Sequence, residues 1–96
     1  MKDTPRWRAP SGSLLRWRSW EHEFIVYDSG SGQTHLLDPI AAETLRILER
    51  VSASPHELFQ LLAESLQIKP DGELSSYLEK LLPKLERLGL VERIQR

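Results

Sequence analysis

Few residues of this chain are of a type that could do chemistry: three histidines, a Ser-Gly-Ser-Gly run, scattered carboxylates, and a stretch in which arginine and tryptophan alternate. His22 precedes a strand-like segment, His35 lies within one, and His56 opens a helical one, so none has the i, i+4 spacing of a helical metal pair. Zinc commonly takes four ligands, and the chain has no cysteine to offer a thiolate. No metal and no cofactor is therefore expected. His35 beside Thr34 could serve as a base, but no nucleophile motif such as G-x-S-x-G accompanies it. The SGSG run at 29–32 leads into a strand, whereas a phosphate cradle needs a helix N-terminus behind it, so it reads as a hairpin turn. The carboxylates lie on the polar faces of helical segments, and no pair sits in the apolar setting that acid–base work requires. The chain is not expected to be an enzyme.

The arginine–tryptophan run, LLRWRSW at 14–20, repeats the RWR triplet of 6–8. In a strand, Leu15 and Trp17 share one face while Arg16 and Arg18 share the other, which is the ordinary pattern of a half-exposed sheet. The rival reading is a winged-helix nucleic-acid binder, with Arg6, Arg8, Arg16 and Arg18 on phosphates and the third helix in the major groove. Against it stands DGELSSYLEK, the first half of that helix, whose three acids and one lysine would repel the backbone they must approach. No nucleic acid is expected as partner.

The elements that must position these residues follow from periodicity. Residues 1–12, broken by Pro5 and Pro10, read as an N-terminal arm without strong period, whose Trp7 docks on the domain or on a partner. Residues 13–96 read as one domain. Strands are expected from Leu14, over EFIVYD (23–28) and over QTHLL (33–37), the last two joined by the SGSG hairpin. Asp38 as N-cap and Pro39 at the first position open a helix over 39–52, with a solvated polar face of Glu43, Arg46 and Glu49. Ser54, Pro55 and Glu57 form a capping box before a second, brief helix. A third helix starts at Asp71 with Leu74, Leu78, Leu81, Leu85 and Leu88 on its stripe. Pro83 should kink or break it near residue 80, and Gly89 should end it. LVERI (90–94) alternates again as an optional last strand. The fold class is α+β, winged-helix-like: a three-stranded antiparallel sheet followed by three helices.

Composition narrows the classes. Of 96 residues 40% are hydrophobic and 28% charged, which suits one small globular domain. No apolar run approaches the roughly 18 residues of a membrane span, and the N-terminus lacks a signal-peptide core, so a cytoplasmic protein with no membrane partner is expected. The net charge of −1 divides into +4 over residues 1–20 and −5 over the rest, which is modest for a domain held to phosphates.

What remains is a surface. Tyr77 sits on the shoulder of the third helix's leucine stripe, with Lys80 and Lys84 beside it, and such a groove with a basic rim suits an acidic amphipathic peptide. In a meander, QTHLL lies at the sheet edge, where unpaired N–H and C=O groups form a template for an added strand. Pairing of that edge with a sister chain, giving a homodimer, is the third functional class.

FIVYDSGSGQTHLLDPIAAETLRIL, SPHELFQLL and LLPKLERLGLVER resemble the PqqD-like peptide chaperone family, in particular its branch associated with HPr-kinase-related gene clusters. The likeness covers about residues 14–94 and is most specific over VYDSGSGQTHLLDP (26–39). It implies a precursor-peptide recognition element: a non-catalytic domain that holds the leader of a ribosomally made peptide as an extra strand and presents it to a modifying enzyme. The family's binding strand falls on Thr34, His35, Leu36 and Leu37, and its groove helix on Leu74, Tyr77, Leu78, Leu81 and Lys84. VSASPHEL departs from the D-G-containing turn of the pyrroloquinoline quinone synthesis proteins.

Overall fold

In the computed structural model, residues 5–10 and 14–94 are described. Strands β1 (Arg6–Arg8), β2 (Leu15–Trp20), β3 (Glu23–Asp28) and β4 (Gln33–Leu37) are followed by helices α1 (Pro39–Arg50), α2 (Pro55–Leu66) and α3 (Gly72–Arg87), then strand β5 (Glu92–Ile94). Alternating sequence gives the meander β2-β3-β4, in which Trp17, Val26 and His35 stand abreast on one face and Arg18, Ile25 and Leu36 on the other. Val26 and Leu37 of the inner face join the helix leucines Leu45, Leu48, Leu78, Leu81 and Leu85 in one core. The outer face stays open, with Tyr27 and Leu36 exposed.

Each helix begins where a side chain can satisfy an orphan amide. Asp38 Oδ1 accepts from Ala41 N at 2.8 Å, and Asp71 Oδ1 from Leu74 N at 3.1 Å. At α2 the capping box is complete: Ser54 Oγ accepts from Glu57 N, and Glu57 Oε1 from Ser54 N. That backbone hydrogen bond, aided by the Arg6 guanidinium, holds the Glu57 carboxyl below its ordinary value. At the end of α3, Gly89 has φ +79°, and bonds from Gly89 N to Glu86 O and from Leu90 N to Leu85 O close a Schellman motif.

Three expectations change. Of the kink or break expected at Pro83, the break is absent: α3 is one continuous helix from Gly72 to Arg87. Leu78, Leu81, Leu82 and Leu85 are buried on both sides of the proline, and their packing outweighs one lost backbone hydrogen bond. The polar face of α1 is not simply solvated: Arg46 lies 4.7 Å from the centre of the Trp17 ring and 5.6 Å from that of Phe24, while Glu49 accepts from Trp17 Nε1 at 3.1 Å. An amphipathic side chain can cover apolar surface with its stem and a ring face with its charge, so this polar face roofs the β2 side of the sheet.

The third change concerns the arm. Residues Arg6–Arg8 form a strand that pairs antiparallel with β5, making a second, two-stranded sheet. Trp7 exchanges backbone hydrogen bonds with Ala53 in the α1–α2 connection, at 2.8 and 2.9 Å, and is only 5% exposed. The last strand thus closes on the start of the chain and does not extend the meander.

Candidate functional site

The expected site has two walls, and the structure treats them differently. On β4, Thr34 and Leu36 are exposed, His35 is half-buried, and Leu37 is buried in the core. On α3, Leu74, Leu78 and Leu81 are all buried, Tyr77 is half-buried, and Lys84 is exposed. Leu37, Leu78 and Leu81 all belong to the one hydrophobic core. Leu74 lies apart, lining a cavity of about 340 Å³ with Ile40, Ile68 and Tyr77 at the α2–α3 connection.

The two walls are tied together at one end. The Tyr77 hydroxyl donates to Asp38 Oδ2, while the other oxygen of that carboxylate caps α1. Burial, followed by this hydrogen bond and the negative charge of Asp38, pushes the Tyr77 phenol well above its ordinary value. The polar tip of Tyr77 is thus used inside the molecule, fixing α3 to the residue that follows β4.

The meander has two edges of unlike chemistry. Strand β2 carries Arg16 and Arg18, and charge on an edge discourages further pairing. Strand β4 carries no formal charge with His35 neutral, and among the described residues it pairs only with β3. Its outward N–H and C=O groups can accept a strand. His35 Nε2 is buried and, among the described residues, has no hydrogen-bond partner.

The other sequence candidates are occupied or dispersed. In the SGSG loop, Gly30 N donates to Asp28 Oδ1, Gly32 N to Asp28 O and Gln33 N to Ser31 Oγ, so these amides serve the turn. Among the described residues, no group of three or more histidine or acidic side chains lies where it could hold a metal ion. Arg6 pairs with Glu57 at 3.0 Å and Arg8 with Glu92 at 2.7 Å. No described helix is long and apolar enough to cross a membrane.

Two features escaped the sequence reading. A cavity of about 440 Å³ lies between α2 and α3, walled by Trp7, Phe59, Leu78 and Leu82 with Pro5 and Pro83 at its lining. Its only sequence signal was Trp7, whose apolar bulk between two arginines repeats the pattern of Trp17. The unpartnered His35 nitrogen had no signal at all, since hydrogen-bond satisfaction depends on tertiary neighbours. Comparison with protein-family models, with curated proteins and with solved structures finds no match to this chain.

Proposed function

We propose that this protein is a non-catalytic peptide chaperone, which captures the leader of a ribosomally made precursor peptide as a fourth strand on β4 and presents it to a modifying enzyme. The observation that carries this reading is the uncharged edge of β4, unpaired among the described residues, at the end of a three-stranded sheet. Main-chain hydrogen bonds supply affinity in such strand addition, and side-chain pockets supply selectivity. The resemblance of residues 26–39 to PqqD-like proteins, which rests on the sequence alone and which no family model matches, implies the same strand.

Two other readings are to be weighed against it. A nucleic-acid binder would need Arg6 and Arg8 free, and both are engaged by carboxylates. Self-association through β4 would use the same edge, with a second copy in place of the client.

An amide-resolved NMR titration separates the three. Short peptides encoded near this gene should shift residues 33–38, and Leu36→Pro, which removes an amide of β4 at a side chain 63% exposed, should abolish the effect while the fold persists. Unchanged peptide affinity in a folded Leu36→Pro protein would refute strand capture. Salt-sensitive shifts at Arg16 and Arg18 with duplex DNA would favour the nucleic-acid reading, and shifts at 33–38 that disappear on dilution without peptide would favour the dimer.

A further inference from the structure

We infer that the open face of the β2-β3-β4 sheet is a docking surface for an acidic amphipathic helix of another protein. The register puts Arg16 beside Tyr27, Arg18 beside Ile25 and Leu36, and Trp20 beside Glu23 on this face, opposite the one that the helices cover. The outward face of a one-sided antiparallel sheet is ordinarily polar. Here Trp20 is 72% exposed, and Tyr27 and Leu36 are exposed on the same face. The other two tryptophans are used within the fold, Trp7 by burial and Trp17 by contact with Arg46 and Glu49. Trp, Tyr and Arg are also the residue types that carry most of the binding energy of protein interfaces.

Charge says what kind of partner this face fits. Arg16 and Arg18 form no ion pair among the described residues, whereas Arg6, Arg8 and Arg93 each have a carboxylate. The one carboxylate that the strands place on this face is Glu23, opposite Trp20, so the face is net positive on a chain whose residues 21–96 carry −5. A partner bearing carboxylates would complement the two arginines, and a second copy of the same face, with the same sign, would not. Ile25 and Leu36 are aliphatic and offer a base no ring to stack on, which sets this face apart from the aromatic platforms that hold single-stranded nucleic acid.

The dimensions fit a helix. Three strands about 4.8 Å apart make a face about 10 Å wide, the diameter of one helix with its side chains. Ile25 and Tyr27 run along its middle on β3, with Leu36 on one side and Arg16 and Arg18 on the other. Two residues apart on a strand is about 6.7 Å, and four residues apart on a helix is about 6 Å along its axis. An amphipathic helix laid along β3 would thus set its apolar stripe on Ile25, Tyr27 and Leu36, and carboxylates at i and i+4 on the two arginines. A strand captured at β4 extends the sheet in its own plane, so this face stays open whether or not a client is bound.

The test is selection of a displayed library of single helices, randomised along one face, against the wild-type protein, with the selected helices then titrated as peptides into labelled protein. The inference expects them to carry Asp or Glu at i and i+4 beside an apolar stripe, and to shift amides 16–20 and 23–27. Trp20→Ser should weaken their binding about thirtyfold, and Arg16→Glu combined with Arg18→Glu about tenfold. All three side chains are exposed; each variant is first established as folded from its amide spectrum, so that either can carry the comparison. Against the charge-reversed protein the same library should yield Lys or Arg at those two positions. Selection of no helix, equal affinity for the folded variants, or shifts confined to other amides would overturn the inference. So would shifts of amides 16–20 and 23–27 on dilution without peptide, which would assign the face to a second copy of this chain. The same shifts with a mixed-sequence single-stranded oligonucleotide, when no acidic helix is selected, would assign it to nucleic acid instead.

Discussion

The carboxylate of Asp38 shows how much one residue can hold in place. One oxygen caps α1 and the other receives the Tyr77 hydroxyl, so the end of β4, the start of α1 and the first half of α3 converge on a single side chain. The direction of the Tyr77 shift makes this testable. Its phenol is raised in the folded protein above its ordinary value of 10.0. A group whose folded value exceeds its unfolded value contributes stability that is complete below the unfolded value and is lost as pH climbs towards the folded one. Denaturant unfolding should therefore find Tyr77→Phe less stable than wild type by about 1 kcal/mol at neutral pH, a hydrogen bond to a carboxylate discounted for partial solvent access. That margin should shrink above pH 10, where the unfolded wild-type chain can release a proton that the folded one retains. A margin constant from neutral to strongly alkaline pH would mean that the hydroxyl is not held by Asp38.

At the scale of elements, local chemistry carried much of the fold. Asp38-Pro39 and Ser54-Pro55-His56-Glu57 start helices where their capping chemistry requires, Gly89 stops one, and the period of two marks β2, β3 and β4. What local chemistry could not reveal was where packing decides: the unbroken course of α3 through Pro83, and the use of Arg46 and Glu49 to cover Trp17. The β2–β3 turn is a further case. Its first loop residue, Glu21, has φ +57°, a conformation that costs a side-chain-bearing residue energy and that glycine adopts freely. Glu21→Gly should relieve that strain, partly offset by the greater freedom of glycine in the unfolded chain. The expected net gain is about 0.5–1 kcal/mol, seen as a higher denaturant midpoint with unchanged slope. A lower midpoint would show that the turn prefers its glutamate for contacts elsewhere.

Across the whole molecule, the candidate site was legible in part and for a physical reason. Edge position follows from strand order, so Thr34, His35, Leu36 and Leu37 could be placed on β4 from the sequence. The groove helix could not be resolved as well, because Leu74, Leu78 and Leu81 have the same spacing whether they line a groove or fill a core; in the structure Leu78 and Leu81 belong to the core and Leu74 lines a separate cavity. The closure of the chain on itself was the least legible feature: LVERI announced a last strand, but RWR was too short to announce its partner, and only tertiary structure pairs the two. Trp7 is the centre of that closure: it is buried, hydrogen-bonded through its backbone to Ala53, and covered by Arg93 at 5.1 Å from its ring centre. Truncating it would remove a large side chain from a site already bordered by a cavity, so little could collapse to fill the void. Trp7→Ala is accordingly expected to cost about 3–5 kcal/mol, and the loss should extend to amide protection in β5, whose described strand partner is β1. Trp7→Phe, which keeps a ring in the same place, should recover much of that protection. A Trp7→Ala protein with wild-type stability and protected β5 amides would mean that residues 6–8 are an appendage, and that the domain beneath them folds without their help.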